Sequence, residues 1–238
     1  MATATAHGGD PQVIERLIRH FAKNHLAATW LASGAPQAGV LQAVLNSSNL
    51  AEAGLQFSTE PPTSGARLPG EDGGNPCWLA LASASTNLRS SGVAAPTLLV
   101  QHASDIAGHE KQLGTLGFRH LVVAGSAQSQ RSVRALAGGL WQFGIAAQQP
   151  ARSWQWLRSS PPWESPAAAG APCTLVALDV ARMGTTTSRG FTRVERLLTQ
   201  AAWAQTNGQI RVVGLGELAR TLSEKLTGQP QRSILRAA

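Results

Sequence analysis

Only two cysteines, Cys77 and Cys173, occur in the 238-residue chain. Two thiols so far apart in sequence cannot build a multi-bridge scaffold or a thiolate zinc site, and they suit a reducing compartment. The start, MATATAHGGDPQVIERL, lacks a basic segment followed by an apolar one, and no apolar run reaches the roughly 20 residues that a bilayer demands. The expectation is a cytoplasmic protein with no membrane contact. Charge is scarce as well, at 14% of residues, and the net +7 comes from scattered arginines. No basic run tracks a phosphate backbone, apart from the short arginine-bearing tail Gln231 to Arg236, so nucleic acid is not an expected partner. A G-x-S-x-G elbow, a P-loop and an H-E-x-x-H helix are all missing, which removes support for serine hydrolase, P-loop nucleotidase and zincin chemistry.

What is present is a regular alternation of helical and strand patterns. After Asp10-Pro11, a cap followed by a proline in the first turn, apolar residues Val13, Ile14, Leu17, Ile18 and Phe21 recur at helical spacing. Ala27 to Ala32 then reads as a buried strand, Gln37 to Leu45 as a helix and Glu52 to Phe57 as a short strand. Residues 58–76 are rich in proline, glycine and charge and read as a surface loop. Beyond it come a helix at Cys77 to Ser90, a strand at Thr97 to Gln101, a helix at Ser104 to Leu116 and a strand at Arg119 to Ala124. Leu140 to Ala147 reads as a further strand, Thr174 to Asp179 as a clear one, Phe191 to Asn207 as a long helix, Ile210 to Val213 as the last strand and Glu217 to Leu226 as a closing helix.

Interleaving of this kind implies parallel strands joined by helical crossovers. About seven such strands predict an α/β fold, a distorted or incomplete (β/α) barrel, with Leu17, Phe21, Leu197 and Trp203 packed from the surrounding helices. An open α/β sheet is the alternative. Residues 1–226 form one expected domain and 227–238 a basic C-terminal tail.

The helix ending before Ala28-Thr29-Trp30-Leu31 resembles the first helix and second strand of the polysaccharide deacetylase (NodB-homology) family. Arg134 to Phe143 and Gly208 to Val213 are similar to other pieces of that family. The resemblance implies a barrel in which a divalent metal, held by one aspartate and two histidines, polarises an acetyl carbonyl while a second aspartate acts as base. Paired aspartates are implied at the end of a first strand, where this chain has Ala6-His7-Gly8-Gly9-Asp10, with one carboxylate and almost no chain ahead of it to form a strand. Histidines are implied after Glu52-Ala53-Gly54-Leu55, where Gln56 and Glu60 stand. A glutamine is a poor ligand, and the three-ligand set is broken.

The expectation is therefore a degenerate, deacetylase-like pseudoenzyme with no cofactor, serving as a carbohydrate-binding module or as a structural partner of another protein. The alternative is a working carbohydrate deacetylase that holds a divalent metal such as zinc with a rearranged set drawn from Glu60, Asp10, His7, His102 and His109. His102, Asp105 and His109 would share one face if their helix began early, although Ser104 or Asp105 is the more natural cap. Asp179 ends an apolar strand, where functional groups collect in parallel α/β folds, or else it pairs with Arg182. Asp10 and Asp179 are the catalytic candidates. Seven tryptophans stand against no tyrosine; Trp154, Trp156 and Trp163 cluster in one loop, where indoles could stack on sugar or pack as a lid. Lastly, Gly214-Leu215-Gly216-Glu217-Leu218-Ala219 fits a G-x-G-x-x-A dinucleotide turn, which would need an accessible helix N-terminus, or is simply a glycine turn into the closing helix.

Overall fold

The computed structural model describes residues 2–5, 10–33, 37–57, 76–102, 106, 108–124, 133–145, 147–149, 161, 163–164 and 173–227, with the backbone alone at 2–5, 76–77, 137, 147–149 and 226–227. Its strands are β1 (Ala2–Thr5), β2 (Ala28–Ala32), β3 (Ala51–Gln56), β4 (Thr97–Val100), β5 (His120–Val123), β6 (Val133–Ala135), β7 (Trp141–Gly144), β8 (Ala147–Gln149) and β9 (Val176–Asp179). Its α-helices are α1 (Pro11–Lys23), α2 (Ala38–Ser47), α3 (Pro76–Ser90), α4 (Glu110–Thr115), α5 (Arg189–Thr206) and α6 (Leu215–Thr227). None of the helices is long and apolar enough to cross a membrane.

The strands pair in the order β6-β7-β5-β4-β3-β2-β1-β9-β8, all parallel except the β6–β7 pair. Its far ends belong to one piece of chain, because only two residues separate β7, which pairs with β5, from β8, which pairs with β9. The sheet must curl until both edges meet this split strand. The result is a distorted barrel of seven ring positions, one of them shared by β7 and β8 and so without one continuous ladder, with β6 added outside the ring as a short antiparallel strand. The expected strands that became β2, β4, β5 and β9 lie in this parallel sheet, whereas Ile210 to Val213 does not join it.

Alternation along each strand separates two cores. Outward-facing Ala28, Trp30, Leu55, Leu98, Leu121 and Leu178 belong to the larger cluster, under the helices. Leu31, Leu99, Val122, Phe143, Leu175 and Ala177 face inward and meet Leu215, Leu218 and Ala219 of α6. The inside of the ring is tight: a Cβ on Gly54 would lie 2.4 Å from Leu31 Cδ2 and 2.9 Å from Thr97 Cβ. Helix α1 forms as its sequence dictates, with the Asp10 carboxylate accepting from Gln12 N–H at 2.9 Å and Pro11 in the first turn. Its apolar stripe, Val13, Ile14, Leu17 and Phe21, is buried, and Phe21 meets Trp30 edge to face at 5.7 Å. Ser188 caps α5 in the same way, accepting from Phe191 N–H at 3.1 Å.

Four expectations change. A strand does precede α1: β1, four residues long, is viable because β2 and β9 supply ladders on both its sides. Ile210 to Val213 is not a strand; the Val212 N–H donates to the Gln205 side chain at 2.9 Å, and β1 already has both of its neighbours. Helix α4 starts only at Glu110, after Gly108 has turned the chain with a φ of +83°. Leu17 and Phe21 pack as expected and Leu197 is half-buried against the core, but Trp203 is 63% exposed. The α5 core stripe runs through Phe191, Val194, Leu198, Ala201 and Ala204, which leaves position 203 on the outer face.

Candidate functional site

Two ends of the barrel differ in chemistry. At the N-terminal ends of the strands, the second residues of β2 and β3, Thr29 and Glu52, and the first residues of β4 and β5, Thr97 and His120, face inward. The Glu52 carboxylate accepts from Thr29 Oγ–H at 3.1 Å and from Gly216 N–H at 3.0 and 3.1 Å. It thereby caps the first turn of α6, where unpaired amides and the helix dipole favour an anion. Thr97 Oγ1 lies 3.1 Å from His120 Nδ1. Burial, with the nearby Arg119 charge second, pulls the His120 imidazole down to about 4 from its usual 6.5, so it is neutral at physiological pH. Helix α6 plugs this end of the ring.

That plug decides the dinucleotide reading. A Cβ on Gly214 would sit 2.2 Å from Glu52 Oε1, so the glycine exists to admit this carboxylate. The helix N-terminus that a phosphate would need is filled from within. Gly214 to Gly216 are a structural turn.

At the opposite end, β3 finishes at Gln56 and β9 at Asp179, both on the inward face by alternation with Gly54 and Ala177. The Gln56 Oε1 is buried and accepts no hydrogen bond from the described residues. Asp179 Oδ2 pairs with Arg182 Nε at 3.0 Å, the arginine partnership that its sequence position allows. Asp10 caps α1 and lies outside the ring. His102 is exposed just after β4. His109 stands one residue ahead of α4, with Nδ1 2.6 Å from Gln112 Oε1 and its ring stacked on Trp78 at 5.4 Å. His102 and His109 thus do not share a helix face, because their helix starts after them. Glu60, His7, Asp105, Trp154 and Trp156 lie outside the described residues, while Trp163 is half-buried in a turn.

Among the described residues no three of His, Cys, Asp and Glu gather as a metal-holding group. The described donor set at the C-terminal mouth, a carboxamide and a carboxylate engaged by arginine, does not fit the three-ligand centre that the deacetylase resemblance implies. The Trp78–His109 stack and the Glu52 cap were not read from the sequence. Trp78 and His109 are 31 positions apart, and no local pattern announces such a pair; the glycines at 214 and 216 did signal a close approach, but not by what.

No protein-family model matches the chain, and no curated protein matches its sequence. Solved structures do. A candidate polysaccharide deacetylase involved in O-antigen biosynthesis from Bordetella bronchiseptica superposes with a TM-score of 0.56 at 12% identity, over 84% of this chain and 89% of that one. One from Mycobacterium smegmatis gives 0.58 at 12%, over 91% and 78%. A pseudoenzyme of the CE4 family from Bacillus anthracis gives 0.51 at 11%, over 92% and 64%. The resemblance read from Ala28 to Leu31 and its neighbours is upheld at the level of architecture: the chain has the (β/α) barrel fold of the polysaccharide deacetylases, in a sequence far diverged from theirs.

Proposed function

We propose that this protein is a degenerate member of the polysaccharide deacetylase family, without metal-dependent hydrolysis, retained as a carbohydrate-binding or partner-binding barrel. The observation that carries the reading is Gln56. It ends β3 on the inward face, at the position where the resemblance implies a histidine ligand, and its carboxamide is a neutral, weak donor to a divalent cation. Asp179, the strand-end carboxylate, is neutralised by Arg182 rather than left to act as base or ligand. A metal held there would lower the pKa of a bound water and polarise an acetyl group; one neutral carboxamide and one carboxylate already engaged by arginine fall short of the three-ligand set that would hold it.

The test is elemental analysis of protein purified without chelator, alongside hydrolysis of N-acetylated and O-acetylated oligosaccharides. The expected result is less than a tenth of an equivalent of zinc, cobalt or nickel and no acetate release. One equivalent of metal, lost in Glu60→Ala or His109→Ala, would overturn the proposal in favour of a working deacetylase with a rearranged ligand set.

A further inference from the structure

Helix α5 carries an exposed tryptophan that its core does not use, and that residue belongs to a pattern. Arg189, Arg193, Arg196, Gln200 and Trp203 follow one another at steps of four and three residues, which places them on a single stripe about 21 Å long at 1.5 Å per residue. The stripe lies opposite the buried Phe191–Val194–Leu198 face. Parallel to it runs α1, tied on by the Arg16 guanidinium, which donates to both Glu195 carboxylate oxygens at 2.9 and 3.0 Å and lies over the Phe191 ring at 4.9 Å.

The two helices together carry six cations, Arg16, Arg19, Lys23, Arg189, Arg193 and Arg196, against two anions, Glu15 and Glu195. This is more than half of the net +7 of the whole chain. Both anions are spent internally, Glu195 on Arg16 and Glu15 on Arg19 at 2.5 Å. The surface therefore carries a net positive charge, with Arg189 and Arg196 exposed on the same stripe as one large exposed indole.

We propose that the outer face of α5, with the adjoining edge of α1, docks an acidic protein surface that offers an apolar pocket for Trp203 and carboxylates for Arg189 and Arg196. Trp and Arg are the residue types that dominate protein–protein binding energy. Guanidinium groups take carboxylates in forked pairs, and a basic face steers an acidic partner to encounter. Other polyanions match less of it. A convex helix offers no cleft for a sugar chain. A duplex backbone has no use for an isolated indole. A membrane surface would call for a broader apolar patch, whereas Leu79 on α3 is the only other large apolar side chain strongly exposed among the described residues. This deepens the partner-binding half of the function proposed above, and its failure would leave the metal analysis unaffected.

The experiment uses the full chain and a fluorescently labelled helical peptide whose glutamates flank a leucine patch, with affinity read by anisotropy at low and moderate salt. Arg189→Glu with Arg196→Glu is expected to weaken binding roughly tenfold or more at low salt, with less effect at moderate salt. Trp203→Ser is expected to weaken it roughly fivefold at both salt levels. Arg134→Glu with Arg220→Glu changes net charge equally from elsewhere on the surface and is expected to cost less than about twofold. Equal losses in the two double variants, or no loss with Trp203→Ser, would overturn the proposal. So would tighter binding of duplex DNA, an alginate oligosaccharide or anionic phosphatidylserine vesicles with the same dependence on these substitutions. All the altered residues are exposed or half-exposed, and unchanged unfolding midpoints check that the variants remain folded.

Discussion

Replacing Glu52 by alanine removes the carboxylate that ties the first turn of the α6 plug to the ring, while the Trp141 Nε1–H bond to Ser223 Oγ farther along the helix stays in place. The carboxylate accepts from the Gly216 amide and the Thr29 hydroxyl, and it faces the N-terminus of a 13-residue helix. Hydrogen bonds to a charged group are worth about 1.5–3 kcal/mol, and an anion at a helix N-terminus adds about 0.3–1 kcal/mol. Deletion also leaves the amide and the hydroxyl unpaired in a site that α6 shields. A loss of about 3 kcal/mol is expected, read as a lower urea midpoint at unchanged slope and as a Tm lower by about 6–12 °C for a chain of this size. Glu52→Gln keeps an acceptor oxygen and should lose about half as much. Gly214→Ala drives a methyl group into Glu52 Oε1, so it should destabilise by displacing the same carboxylate. The two effects should not add: Gly214→Ala in the Glu52→Ala background should cost clearly less than in the wild type. A Glu52→Ala loss below about 0.5 kcal/mol, or full additivity, would refute the account of α6 as a plug anchored by this side chain.

His120 gives stability a pH dependence of defined sign. Its folded pKa is depressed to about 4 from 6.5, so between those values the unfolded chain binds more protons; its contribution is complete above pH 6.5 and is lost as pH falls towards 4. At 1.36 kcal/mol per pKa unit the loss is about 3 kcal/mol, and urea titrations across that window should show a slope that His120→Gln removes. Phe21→Ala empties a fully packed site against Trp30 and should cost about 3–5 kcal/mol in the same titration, whereas a cost under about 1 kcal/mol would mean that α1 is not seated as described. Gly54→Ala places a Cβ against Leu31 and Thr97 inside the ring, and an overpacking loss of about 1–3 kcal/mol in thermal unfolding is expected; a neutral result would mean that the interior is looser than described.

The elements most legible in the sequence are those whose local pattern and tertiary fate agree. Val13, Leu17 and Phe21 announce α1, and the apolar runs at Ala28 to Ala32 and Leu121 to Val123 announce strands buried on both faces. Ile210 to Val213 carries the same β-branched signature, yet it lacks a neighbour to pair with, and Gln205 takes one of its amides. Local propensity cannot register that a ring is already full. Trp203 misled for a related reason: hydrophobicity suggests burial, while the helical phase set by Val194, Leu198 and Ala201 turns position 203 outward. At the candidate site, the Asp179–Arg182 pair was readable because its partners are three residues apart, and Gln56 because a strand pattern ends there. The Glu52 cap joins positions 164 residues apart, a distance over which composition and periodicity carry no signal.

Chain order gives the plug one more consequence. Of the described helices, α6 is the last to leave the ribosome, after every strand of the ring has been made. Until it arrives, Leu31, Leu99, Val122 and Phe143 line a cavity with no floor, and the Glu52 carboxylate has no amide to accept from. Until α6 has been made, the nascent barrel is therefore an unfinished hydrophobic vessel, a form that invites chaperone binding or misassociation. Its commitment to the native state waits for this turn-and-helix segment, so a ring whose strands are all made still cannot close its core until α6 docks.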